Sequence, residues 1–156
     1  MASNKKLRGQ KSLLSRTIQT HWPIWYQPGA ALGSAVRYLA ALSVHYQWVA
    51  IYILKGTYLE LGPFVGAPSE RIKVPRSEGD GTSSDGQEQD FKVLRRRNLE
   101  NSDLNVKRRV VVGIRNSKGK LVGEVWIESD LDVDLSDEEE QSICKVAQEL
   151  GVLWSA

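Results

Sequence analysis

The stretch from Trp48 to Leu61 constrains this chain more tightly than any other. Trp48-Val49-Ala50-Ile51-Tyr52-Ile53-Leu54 is β-branched and aromatic, the composition that fits a pleated, largely buried strand. Lys55-Gly56 then supplies a turn, because glycine reaches the positive φ that a two-residue hairpin loop requires. Thr57-Tyr58-Leu59-Glu60-Leu61 alternates as a strand with one buried face does. A second hairpin is predicted where Val110-Val111-Val112-Gly113-Ile114 meets Lys120 to Ile127 across Asn116-Ser117-Lys118-Gly119. Glu70 to Val74 reads as a third strand and Phe91 to Leu94 as a short one.

Helical periods frame these strands. Leu32, Ala35, Val36, Leu39 and Leu42 form one stripe of a helix that begins at Gly29. Ala30, Ala31, Gly33, Ser34, Ala40 and Ala41 keep its other faces small, so another element can approach closely. Near the C-terminus, Ser136 stands three residues before Glu139, the spacing of a capping box. Ile143, Val146, Ala147, Leu150 and Leu153 repeat the apolar stripe. The acidic run Asp130 to Glu140 is read as negative charge at a helix N-terminus, where the dipole favours it. It lacks the turn glycine of a calcium loop. Helix, hairpin, strand, irregular crossover, hairpin and helix describe an α+β domain: one antiparallel sheet with both helices on one face. The crossover Pro75 to Arg109 is left to cover the other.

Composition bounds the rest. With 156 residues, 41% of them hydrophobic and 26% charged, the chain can bury one ordinary core. One cysteine and two histidines exclude a disulfide framework and a Cys-rich zinc site, and no cofactor or metal is expected. His21 and His45 fall in different elements without a patterned carboxylate. Gly79-Asp80-Gly81 lacks the lysine of a phosphate loop. The net charge is +2, but residues 1–59 hold seven basic side chains and no acid. Residues 1–22 are expected to be a basic leader, partly disordered or a short helix, ahead of a single domain over residues 23–156. No aromatic interleaving or motif accompanies that charge, so nucleic acid is not the expected partner. Neither a signal peptide nor a membrane span is apparent, and the lone cysteine fits a cytoplasmic location. Pro75 to Asp90, without an apolar anchor, is expected to be a mobile loop. Arg95-Arg96-Arg97 and Lys107-Arg108-Arg109 are read as solvated charge runs.

Trp48-Val-Ala-Ile-Tyr-Ile-Leu-Lys-Gly, followed by Leu59-Glu-Leu-Gly-Pro-Phe-Val-Gly-Ala-Pro68, resembles GAF domains. The likeness is nearest to the free methionine-(R)-sulfoxide reductase branch, with its "WVGFYLL" strand and "LxLGPFxGxPA" segment. Lys120-Leu-Val-Gly-Glu-Val-Trp-Ile-Glu-Ser129 is similar to that branch's "GxVxGVLDIDS". The resemblance covers about Pro28 to Leu153. It implies an antiparallel sheet with helices on one side and a small-molecule pocket on the other.

The implied reaction chemistry is missing. Gly81 and Ser102 fall where the branch carries its cysteines, Arg109 replaces a glutamate, and Trp126 and Glu128 replace two aspartates. Sulfoxide reduction of this kind needs an attacking thiolate and a second thiol that resolves it as a disulfide. Serine does neither, and Cys144 on the last helix is read as a half-buried small hydrophobe. The expected function is therefore a non-catalytic GAF domain acting as a small-ligand sensor or as an interaction and dimerisation module. A reductase-like enzyme with altered chemistry is the alternative, and an adaptor using the basic leader a third reading. Tyr52, Arg109, Trp126 and Glu128 are the candidate ligand-binding residues. Arg109 and Trp126 would favour an anion or a flat ring. In the competing picture Trp126 fills the pocket and Arg109 faces solvent. A homodimer through the helical face is expected.

Overall fold

The computed structural model describes residues 28–76, 91–95 and 105–154. The expected leader and the Pro75 to Asp90 loop therefore lie wholly or largely outside the described residues. The elements run α1 (Pro28–Ala40), β1 (Tyr46–Lys55), β2 (Tyr58–Gly66), β3 (Lys73–Pro75), β4 (Phe91–Arg95), β5 (Arg108–Arg115), β6 (Leu121–Ser129) and α2 (Asp137–Leu153). The six strands form one antiparallel sheet in the order β3-β2-β1-β6-β5-β4. This is the predicted α+β architecture, closed at its centre by the non-local pair β1 and β6.

Both hairpins form where glycine permits them. Gly56 and Gly119 have φ of 63° and 77°, a region that side chains with a Cβ avoid. In β1, Val49 and Ile51 point to one face while Trp48, Ala50 and Tyr52 point to the other. β6 divides likewise, with Val125 and Ile127 against Glu124, Trp126 and Glu128. Both faces are buried, so each alternating set has its own core. On the first face, Val49, Ile51, Val110, Val112, Ile114, Val125 and Ile127 pack against both helices. The helices contribute the predicted stripes, Leu32, Ala35, Val36 and Leu39 from α1 and Ile143, Val146, Ala147 and Leu150 from α2. Each such large side chain removed from water stabilises the fold by about 1.5–3 kcal/mol. Ser136 caps α2 as its spacing predicts: its Oγ accepts from the Glu139 backbone N–H at 3.1 Å. The Tyr46 hydroxyl donates to Glu139 Oε2 at 2.5 Å and ties β1 to that helix start.

On the second face, Trp48, Ala50, Tyr52, Leu59, Val74, Leu94, Val106, Val111 and Trp126 form a separate cluster. From the expected crossover, Leu94 and Val106 join this cover, but β4 extends the sheet edge rather than lying across it.

Strand limits differ from expectation by a residue or two in β1 and β6 and more consequentially in β2, β5 and β3. β2 continues to Gly66 because an irregularity near Gly62 and Pro63 accommodates the extra chain against Ile51. A Cβ at Gly62 would sit 2.8 Å from the Ile51 carbonyl oxygen, so the bulge needs glycine. β5 starts at Arg108, and both Arg108 and Arg109 are buried. The solvated reading of that basic run is thus corrected, because strand pairing carries it into the sheet. β3 keeps only three residues, and Glu70, Arg71 and Ile72 precede it in irregular backbone. Among the described residues, no helix is long and apolar enough to cross a membrane.

Candidate functional site

The register of the three central strands builds the site. Trp48 and Arg109 flank Glu128, Ala50 and Val111 flank Trp126, and Tyr52 and Gly113 flank Glu124. Alternation places all nine on the face away from the helices. Ala50 and Val111 are small beside Trp126, so the indole can lie across the sheet and meet the Tyr52 ring, with centroids 4.5 Å apart. The Trp126 Nε1–H donates to Glu124 Oε1 at 3.2 Å.

Two arginines converge on Glu128. Arg109 donates from Nε and Nη2 to Glu128 Oε2 at 3.0 and 2.8 Å, and its guanidinium lies 4.6 Å from the Trp126 ring centroid. Arg71 reaches in from the link between β2 and β3. Its Nη2 donates to Glu128 Oε1 at 2.8 Å, and its Nη1 makes a longer bond of 3.4 Å to Oε2. The Arg71 guanidinium sits 5.0 Å from the Trp48 ring and 5.8 Å from that of Trp126, within cation–π range of both. The Arg71 backbone is fixed from below, since the Tyr52 hydroxyl donates to its carbonyl at 2.9 Å. Burial pushes the Tyr52 hydroxyl up to about 12, against the opposing pull of the two guanidiniums. It therefore keeps its proton and acts as a donor at neutral pH.

All four residues expected from sequence come together: Tyr52, Arg109, Trp126 and Glu128 are 0%, 6%, 2% and 3% exposed. Their arrangement departs from both sequence pictures. Trp126 does fill space at the sheet face, but Arg109 is buried rather than solvent-facing, because its register sets it opposite Glu128. Nor does it present a free guanidinium to an anion, since Glu128 already holds it.

Sequence reasoning left out Trp48, Glu124 and Arg71. The first two were within reach, because Trp48 shares the alternation of Tyr52 and Glu124 that of Trp126. Arg71 carries no such signal, since irregular backbone turns it inward. The Trp48 indole N–H is buried and has no acceptor among the described residues. Cys144, the chain's one thiol, belongs to α2, which packs on the opposite face. Among the described residues no group of three His, Cys, Asp or Glu side chains could hold a metal ion.

No family model and no curated protein sequence matches this chain. Solved structures do. The type II free methionine-R-sulfoxide reductase from Thermoplasma acidophilum superposes with a TM-score of 0.69 at 22% identity, over 81% of this chain and 90% of that one. The reduced fRMsr of Staphylococcus aureus gives 0.72 at 21%, over 90% and 92% of the two chains. A putative GAF sensor protein from Burkholderia vietnamiensis gives 0.69 at 19%, over 90% and 86%. The chain has the GAF fold. At these identities the likeness extends to fold alone.

Proposed function

We propose that this chain is a non-catalytic GAF-fold module that senses a small ligand on the sheet face centred on Glu128. The observation that carries this reading is a charged cluster buried where a core would suffice. Desolvating Arg71, Arg109 and Glu128 is costly, and apolar residues of similar volume commonly stabilise a fold as well or better. Aromatic walls around a held carboxylate, with an unmatched indole N–H beside them, are the furniture of recognition rather than of packing. A second reading, an interaction module without a ligand, draws on the same site being filled by the protein's own Trp126 and Arg71. A homodimer through the α1 and α2 face and a cytoplasmic location belong to the same proposal.

The non-catalytic part rests on sulfur: the one thiol lies across the sheet from Glu128. A thioredoxin assay coupled to NADPH, with free methionine-(R)-sulfoxide as substrate, should give no turnover. Turnover that survives Cys144→Ser would overturn it and restore the altered-enzyme alternative. Sensing is tested by a small-molecule thermal-shift panel, in which a saturable stabilisation is expected. A panel without any saturable response would leave only the interaction module. Light scattering at micromolar concentration should report a dimer, and a monomer would remove that claim.

A further inference from the structure

We propose that Arg71 is a displaceable internal occupant of this site, and that the ligand it stands in for is a small guanidinium cation. The proposal rests on reading the Glu128 face as a ligand site and names the chemistry that site takes. The two arginines on Glu128 are held very differently. Arg109 belongs to the central strand β5, hydrogen-bonded on both sides, and its side chain is 7% exposed. Arg71 lies outside any strand, beside a three-residue edge strand, and its side chain is 23% exposed. Ile72, its neighbour, is more than half exposed.

The carboxylate is divided between them. Glu128 Oε2 accepts both bonds from Arg109, whereas Oε1 has no donor among the described residues except Arg71. If Arg71 swings out, Oε1 is left bare between two indole faces, with its remaining charge only partly matched. Arg109 stays bound to the other oxygen. What then fits is a flat cation with paired N–H donors, the group Arg71 itself supplies. An anion would meet the bare Oε1 of Glu128 there and be repelled.

An occupant tethered to the site competes at an effective concentration of about millimolar. A free cation therefore binds the native chain weakly, and binds tightly once the tether's charge is removed. The experiment titrates methylguanidine, with neutral N-methylurea as its isosteric control, into the native protein and Arg71→Ala. The readout is the indole N–H signals of Trp48 and Trp126 in proton–nitrogen correlation spectra. Saturable shifts with methylguanidine alone are expected, at a concentration at least about ten-fold lower in Arg71→Ala than in the native chain. Arg71→Gln, which keeps part of the stem, gives the same readout should the alanine variant not fold.

Equal affinity in native and variant chains would overturn the displacement by Arg71. Equal response to N-methylurea would overturn the cation. Either result leaves the ligand site itself standing, as does a panel compound that moves the two indoles where methylguanidine does not. If no compound moves them in a folded variant, the site reading falls as well.

Discussion

Glu128 carries two guanidiniums on one buried carboxylate, and the consequences of losing it differ from those of losing either arginine. Without Glu128, Arg109 is left charged and unmatched in the interior, a loss of about 3–5 kcal/mol by comparison with other broken buried pairs. Without Arg71, Glu128 still holds Arg109, and the part-exposed site admits water. Urea unfolding should thus rank Glu128→Ala well below Arg71→Ala in midpoint, and the reverse order would mean that Arg71 is a structural staple. Tyr52 adds a titration. Its hydroxyl, pushed up to about 12, holds its proton in the fold while an unfolded tyrosine releases it near 10.0. The folded state then binds more protons, so stability is complete below about pH 10 and declines toward about pH 12. Tyr52→Phe should lower the unfolding free energy at neutral pH by about 1 kcal/mol, through the lost bond to the Arg71 carbonyl, and flatten the alkaline decline. Some slope should remain, because burial and Glu139 also raise the Tyr46 hydroxyl.

At the scale of elements, close backbone approach matters as much as side-chain pattern. A Cβ at Gly123 would lie 2.5 Å from the Tyr52 carbonyl and 3.3 Å from Trp154. The carbonyl belongs to the central β1–β6 pair and cannot retreat. Gly123→Ala should therefore destabilise by about 1–3 kcal/mol, visible in the urea midpoint, and loosen the pairing that brings Tyr52 to Glu124. The helices and hairpins could be read from the chain because their signals are local: a 3.6-residue stripe, a capping serine, a turn glycine. The end of β2 could not, since the Gly62 bulge answers to Ile51 on another strand. Nor could the short β3. Glu70-Arg71-Ile72 alternates like a strand, but the bonding to β2 ends with the Leu61 N–H donating to the Ile72 carbonyl at 2.7 Å, and the Arg71 side chain turns to Glu128.

For the molecule as a whole, the two faces of the sheet have separate duties. The helical face supplies an apolar core, and the opposite face combines a smaller apolar cluster with the charged site. We propose that residues 1–22 stand outside the domain, whose clusters among the described residues draw on residues 31–154; a chain lacking residues 1–22 should then unfold in one transition with a Tm within a few degrees of the full chain. A large fall would show that the leader belongs to the domain. Heparin retention should be indifferent to the same deletion; salt-dependent retention lost with it would favour the adaptor reading. The amino-acid order determined which side chains share a face, because strand alternation has a fixed period of two. Alternation did not by itself nominate Tyr52, Arg109, Trp126 and Glu128; the resemblance to GAF motifs did that, and the period of two is what lets them share a face. Only the tertiary structure decided what they do to one another. Pairing β1 with β6 and turning Arg71 inward join residues distant in the chain, and such contacts leave no mark on local periodicity. The charge presented at Glu128 is therefore a property of the packed sheet, not of any segment within it.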